Sequence, residues 1–270
     1  MQKIKKYPVN HPILSKHIKF YWEIKADNIE LNHKLIPLRN INLRFNLSDT
    51  PHYIIQDHKE LQLDHIFFSG LHNSNINTSI KVKGSVDMFG ICFYSDGFYP
   101  FINTPISDFT NHIININQSN LSLQEGIVEQ LKDKTTENKI KIIEKELLKS
   151  IHEDSRYKYF HDLFNTLKED DFSTPLNTFC EHYKISNRTL ERMFNKYVGI
   201  SAKRYTTINR FQNSLNDLLY KDFTKLSDIA YRNGYFDQMH FIKEFKHFTG
   251  NPPSTFSSDH NSILHIGRFQ

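Results

Sequence analysis

From about Tyr7 to Asn117 short apolar runs alternate with turn-forming residues: Ile18 to Ile24, Asn42 to Leu47, His65 to Phe68 and Met88 to Tyr94. Alternating side chains, aromatic richness and punctuation by Asn, Asp, Pro and Gly favour strands. The pattern predicts a mostly β domain, a small cupin-like barrel or a sandwich. The period then changes. Leu131, Ile140, Ile143, Leu147 and Leu148 recur at helical spacing among Lys and Glu, which predicts amphipathic helices between Leu121 and Ile151. Their apolar stripe suits packing on their own domain and a dimer seam about equally.

From Arg156 to Phe256 the pattern is helical throughout, and the turn signals fall in informative places. Ser173-Thr174-Pro175-Leu176 offers a cap followed by Pro in a first turn, with Leu176, Phe179 and Tyr183 as the apolar stripe behind it. A turn through Lys184-Ile185 leads to Ser186, a good N-cap. Thr189-Leu190, Met193-Phe194 and Tyr197 then form the buried face of a second helix that Gly199 ends. A longer helix from about Ala202 to Tyr220 follows, and the pattern recurs: Leu226, Ile229, Ala230 and Tyr231 on a short helix, Gly234 in the turn, Asp237 as N-cap, and Phe241, Phe245 and Phe248 along the next helix. These are two helix-turn-helix units. The fold class expected is therefore α+β in two domains, a β-rich N-terminal domain with trailing helices and an all-α C-terminal one, divided as 1–153 and 154–258 with a tail at 259–270.

Charge sharpens this reading. The chain of 270 residues carries a net charge of only +4, but between Lys184 and Arg210 the basic residues Lys184, Arg188, Arg192, Lys196, Lys203, Arg204 and Arg210 stand against Glu191 alone. Such a stretch suits a polyanion. The two cysteines, Cys92 and Cys180, are far apart and read as buried apolar groups, not as a disulfide or a thiolate metal site. No uncharged apolar run is long enough to span a bilayer, and the basic opening Met1 to Lys6 has no apolar segment behind it, so a cytoplasmic protein without membrane contact is expected.

The residues from Leu176 to Phe256 resemble the DNA-binding domain of AraC/XylS-type transcription regulators. Ser186 to Phe194, Gly199-Ile200-Ser201, Arg210-Phe211, Ile229-Ala230, Gly234-Tyr235, His240-Phe241, Phe245-Lys246, Gly250 and Pro253 carry the resemblance. It implies two recognition helices set into successive major-groove segments of double-stranded DNA. Carried over by position, the base-facing residues are Arg188, Glu191 and Arg192 in the first unit and Gln238, Met239 and Lys243 in the second. Arginine suits guanine, Glu191 cytosine N4, Gln238 adenine, and Met239 a thymine methyl. Lys184, Asn187, Lys196, Lys203 and Arg204 are expected on phosphates. Two departures from the family pattern, Met239 before His240-Phe241 and Ser257 where an Arg is common, place specificity mainly in the first unit.

The N-terminal half is similar to a β-rich sensory domain that precedes this module in a subgroup of the family. The similarity rests on Tyr7-Pro8, His11 to Leu14, Phe20-Tyr21-Trp22, Ile36 to Arg39 and Gly90 to Phe93. It implies an effector whose chemistry the residues do not name. The family's usual output is activation of transcription, with RNA polymerase and a second copy of the chain as candidate partners.

Plainer readings stand beside these. His33, His52, His58, His65 and His72 show no metal-ligand spacing and are expected to be solvated next to turns, so neither metal nor cofactor is assigned. Trp22 suits a core better than a ligand pocket. Arg44, between Leu43 and Phe45, is expected to point outward rather than to anchor an anion inside the barrel. A catalytic or merely dimerising N-terminal domain tethered to DNA is the rival function, but no nucleophile elbow, phosphate loop or zinc signature supports catalysis.

Overall fold

The computed structural model describes residues 4–56, 58–73 and 78–256, with the backbone alone at 31, 33, 34 and 256. Ser257 and the tail at 259–270 lie outside the described residues, as does the side chain of His33. Strands β1 (Lys5–Tyr7), β2 (Ile18–Lys34), β3 (Ile41–Asn46), β4 (His52–Gln56), β5 (Lys59–Gln62), β6 (Ile66–Ser69), β7 (Thr78–Phe93) and β8 (Ile113–Asn115) form one antiparallel sheet. Its order is β1-β2-β7-β3-β6-β8, with β4 pairing to β7 and β5 to β4.

Two strands are much longer than the apolar runs predicted. β2 continues past Ile24 through Lys25, Asp27 and Glu30, where no apolar alternation marks it. Cross-strand ion pairs mark it instead: Lys25 with Asp87 at 2.7 Å and Glu30 with Lys83 at 3.6 Å. β7 runs alongside β2 and changes its other partner midway, from β4 at Thr78–Val82 to β3 at Met88–Phe93. The change falls next to Gly84, whose φ of +134° few other residues adopt, and across from it β2 breaks register between Ala26 and Ile29. Paired irregularities of this kind bend both strands and curl the sheet into the cupin-like shape.

Because side chains alternate, the sheet has two distinct faces. One carries Tyr21, Ile41, Leu43, Phe45, Phe68, Phe89, Ile91 and Phe93 into a large core. The other carries Phe20, Trp22, Ile24, Phe67, Met88 and Cys92 into a smaller one with Ile54, Leu63, Val82 and Val86. Trp22 is a core residue, as expected: it is fully buried, and its indole Nε1 donates to Asn42 Oδ1 at 3.3 Å. It lies flat on Gly90, where any Cβ would sit about 2.1 Å from the indole ring, so only glycine permits this stacking.

Helices α1 (Tyr99–Ile102), α2 (Ile127–Leu131) and α3 (Thr136–Lys149) pack on the large-core face. The predicted stripe Leu131, Ile143 and Leu147 is spent there, against its own sheet. Helix α4 (Ser155–Glu169) is capped by Asp154, whose carboxylate accepts from the Arg156 and Tyr157 amides. Helices α5 (Leu176–His182), α6 (Asn187–Tyr197), α7 (Ala202–Tyr220), α8 (Leu226–Arg232), α9 (Gln238–Thr249) and α10 (Pro253–Phe256) complete the described chain. The large core runs without interruption from the sheet through Phe160, Phe164 and Phe194 to Phe211 and Phe248. Each fully buried phenylalanine in it contributes about 1.5–3 kcal/mol of burial free energy.

Two expectations about polar residues on the small-core side are corrected. Arg44 points inward and is only 6% exposed, because β3 alternation puts it on the same face as Asn42 and Asn46 while Leu43 and Phe45 take the large core. His52 and His72 are buried and not solvated, whereas His58 and His65 are exposed. Cys92 and Cys180 are both buried and free, as expected.

Candidate nucleic-acid interface

The first helix-turn-helix unit is α5, its turn and α6. Pro175 stands at the cap of α5, one residue outside the helix, and not within its first turn. No side chain caps this helix, and the Asp170 carboxylate takes the Thr174 amide at 3.1 Å. The turn reverses at Lys184, whose φ is +52°, and closes with the Ile185 amide donating to Cys180 O at 3.0 Å. Ser186 Oγ then accepts from the Thr189 amide at 3.1 Å and starts α6. Leu190, Phe194 and Tyr197 face inward, while Arg188, Arg192 and Asn195 lie on the exposed side. Gly199 (φ +94°) ends the unit; a Cβ there would lie 2.9 Å from Ile106 and from Thr110 Oγ1.

The sequence expectations for this unit divide in two. Lys184, Arg188, Arg192 and Lys203 are exposed, and their side chains enter no hydrogen bond or ion pair within the described residues. Asn187 is exposed too, donating to Asn177 Oδ1 at 2.9 Å. Glu191 is turned elsewhere: its carboxylate accepts from the Ala202 amide at 2.8 Å and the Lys203 amide at 3.4 Å. The positive end of α7 holds that charge, so Glu191 fixes the angle between α6 and α7 and is not free for a base. Lys196 is half-buried, 3.3 Å from Asp154 and over the rings of Tyr99 and Tyr197. Arg204 is half-buried as well: it donates through Nε to the carbonyl of Asn73, contacts His247 at 3.2 Å and stacks on Phe248. Neither is a free phosphate ligand in this arrangement.

The second unit is α8, its turn and α9. Gly234, at φ +70°, sits in the turn, and Asp237 caps α9 by accepting from the His240 amide at 2.7 Å. Gln238, Met239 and Lys243 all lie exposed on α9. Two anions, buried Asp217 and partly buried Glu244, hold the unit to α7. Asp217 accepts from Lys221 at 2.7 Å, Asn233 at 3.0 Å and Arg232 at 3.3 Å. Burial opposes its charge, but these three donors outweigh burial and hold its carboxyl below the usual range. Glu244 takes both branches of the Arg210 guanidinium, at 2.5 and 3.2 Å, and Arg210 lies over the Tyr235 ring. Arg210, counted in the basic stretch, is therefore paired within the protein.

Sequence reasoning missed one feature of this surface. Phe236 is 86% exposed and Tyr231 69%, on either side of the turn and near exposed Met239. The available signal was position: Phe236 lies outside the Phe241, Phe245, Phe248 stripe and so has no place in the core.

Comparison with known proteins follows the same division. Residues 9–115 match a family model described as a domain of unknown function (DUF6597), and residues 179–259 match a helix-turn-helix domain. An uncharacterized HTH-type transcriptional regulator of Staphylococcus aureus strain MSSA476 is 28% identical over 114 residues, 42% of this chain and 15% of the relative. The chain thus spans a small part of the length of that relative. The HTH-type transcriptional activator RhaS of Escherichia coli O139:H28 is 31% identical over 80 residues, 29% of this chain and 28% of RhaS. Among solved structures, ToxT from Vibrio cholerae aligns over 87% of this chain and 97% of its own, at 12% identity and a TM-score of 0.48.

Proposed function

We propose that the chain, with its helix-turn-helix domain and its likeness to RhaS over 80 residues, is an AraC-type transcriptional regulator that binds its operator chiefly through α6 and answers to an effector held by the N-terminal sheet. Residues 1–153 are the sensing part in this reading and 154–258 the DNA-binding part. Arg188 and Arg192 read bases, with bidentate contacts to guanine worth about 1–3 kcal/mol each. Lys184, Asn187 and Lys203 bind phosphates and fix the register. Gln238, Met239 and Lys243 meet the next groove segment. The observation that carries this reading is the pair of exposed arginines on a capped helix, free of internal partners among the described residues while Glu191, Lys196, Arg204 and Arg210 nearby are engaged.

The route from sheet to DNA runs through α7. Arg39 donates to Asn209 at 2.7 Å and Asn213 at 2.8 Å, and Gln212 donates to the carbonyl of Pro37. Ser95 and Tyr205 hydroxyls lie 2.6 Å apart, and Thr110 Oγ1 donates to Gly199 O at 2.5 Å. A change in the sheet thus has packed, hydrogen-bonded partners on the helix that joins the two units. Activation of transcription is the output we assign, as RhaS bears that name. Thiol chemistry in the sheet is disfavoured: Cys92 is fully buried, and desolvation pushes its pKa up to about 12.

The test is selection of bound sequences from random duplex DNA by the full chain, repeated with Arg188→Ala, Arg192→Ala and Glu191→Gln. A motif of two segments about one helical turn apart is expected. The two arginine variants should each lose information at defined positions. Glu191→Gln should weaken binding evenly across sequences. Retention of the full motif by both arginine variants would sink the assignment of α6.

A further inference from the structure

The small-core face of the sheet contains a cation with no counter-ion. Arg44 lies opposite Phe67 on β6 and Gly90 on β7, buried, and its guanidinium donates to Asn42 O and Ser69 Oγ, each at 3.2 Å. Both acceptors are neutral. No carboxylate among the described residues pairs with it, and the Phe67 ring lies 5.7 Å from its guanidinium carbon. A buried charge is costly unless it is paired, and removal from water alone lowers the Arg44 pKa to about 10.

Unused polar groups share its side of the sheet, and the Arg44 charge reaches two of them, His52 and His72. His52 is 1% exposed and His72 3%, and neither ring nitrogen of either residue has a hydrogen-bond partner; the same holds for Thr78 Oγ1 and Asn42 Nδ2. Buried polar atoms are normally satisfied, so several orphans on one face with an unpaired guanidinium point to a ligand that completes them. Both histidines feel the Arg44 charge, and burial with that charge lowers each to about 4. They are neutral at physiological pH, and each ring offers one donor and one acceptor. The rest of the face is apolar: Trp22, Ile54, Phe67, Val82 and Met88. A cation is the wrong occupant, because the guanidinium would repel it.

We propose that this face binds a small organic carboxylate, its carboxyl on Arg44, its polar substituents on His52 and His72, and its apolar body against Phe67. The proposal rests on the effector reading above and names the effector's class.

The test uses full-length protein labelled with ¹⁵N-arginine, the Arg44 Nε–Hε signal being assigned from its absence in Arg44→Lys. Sodium acetate, sodium benzoate, inorganic phosphate and neutral benzamide are titrated at constant ionic strength. Benzoate should move the signal to saturation and bind at least about tenfold tighter than benzamide, the margin of one charge-assisted hydrogen bond. Arg44→Met should melt no lower than the unliganded wild type, since it removes an unpaired charge, and benzoate should no longer raise its melting temperature. An Arg44 signal unmoved by both carboxylates, or moved by phosphate alone, overturns the proposal. So does a large loss of stability in Arg44→Met with benzoate indifferent to either protein, which would make the guanidinium a structural donor. DNA selection is read separately, so a silent Arg44 with an intact operator motif removes the carboxylate site and leaves the regulator standing.

Discussion

Behind α6 lie α4 and the turn at Ile106–Phe109, and through them the sheet; behind α9 lie α7, α8 and α10. Phe194 of α6 meets Phe160 of α4 edge-on and Phe164 at a tilt and lies near Tyr205, and Gly199 is held by Thr110. Phe241 of α9 meets Tyr235 and Phe245, both within the second unit. One motif has thus been built twice, once against the core of the sheet and once at the end of a long helix. Motion of the sheet meets the first recognition helix through packed side chains and meets the second through α7. The pair of units is therefore an adjustable caliper, with its fixed jaw on the sheet.

The largest effect that separates the two comes from emptying their cores. Phe194→Ala and Phe241→Ala should each cost about 3–5 kcal/mol where they act. Trp22, the chain's one tryptophan, is buried in the sheet and reports on the N-terminal side. Phe194→Ala should lower the melting temperature seen by Trp22 emission and by far-ultraviolet ellipticity alike. Phe241→Ala should produce an early loss of ellipticity with the Trp22 transition in place. Coincident transitions in both variants would show that the second unit is as tightly coupled as the first.

Acid should act next, and on the sheet side. His17 lies among Phe101, Tyr157 and His161, its Nδ1 3.2 Å from the Tyr157 hydroxyl, and burial, then the His161 charge, lower it to about 4 against a weaker pull from Asp96. The unfolded chain binds more protons than the folded one between about 4 and 6.5, so stability is complete above 6.5 and falls as pH drops through that window. The slope reaches up to about 1.4 kcal/mol per pH unit for this one histidine. His52 and His72 act in the same direction and the same window. The histidines of α9, His240 and His247, are exposed. Trp22 emission should shift red before helical ellipticity is lost as pH falls; the reverse order would contradict the assignment, and His17→Phe should flatten the dependence.

How much of this was legible in the sequence differs between the regions for a physical reason. Helix caps and turns are local, so Ser186, Gly199, Gly234 and Asp237 announced themselves, and so did the stripes of α6 and α9. The sheet is built from distant pairings. Where β2 is polar, its partner Asp87 and not its own pattern makes it a strand, and the inward turn of Arg44 depends on which face meets the helices. Glu191 and Arg204 are engaged within the protein for a similar reason. Their partners, Ala202 and Asn73, become neighbours only after folding, and a charged side chain that satisfies an amide or a carbonyl is no longer free for DNA.

The base contacts should discriminate between the units by a smaller margin. Arg188→Ala should cost about 1–3 kcal/mol of preference for the operator over a single-base variant. Gln238→Ala should cost less, since α9 offers one amide and an exposed thioether where α6 offers two guanidinium groups. Competition binding with operators altered in one segment at a time measures both. Equal losses in the two segments would remove the distinction between the jaws.

The smallest effect is also the most selective. Lys203 and Arg204 are adjacent at the start of α7 and carry the same charge, but Lys203 is exposed while Arg204 is committed to Asn73 and His247. If only free cations release counter-ions from DNA, Lys203→Ala should reduce the slope of log affinity against log salt by about 0.9. Arg204→Ala should leave that slope near the wild-type value and lower the melting temperature instead, because it unties the sheet side from α7 and removes a guanidinium from the Phe248 ring. Titrating both variants and wild type between about 50 and 200 mM salt gives the slopes directly. A slope reduced equally by both substitutions would mean that DNA draws Arg204 away from Asn73, so that binding itself loosens the grip of the sheet on the joining helix.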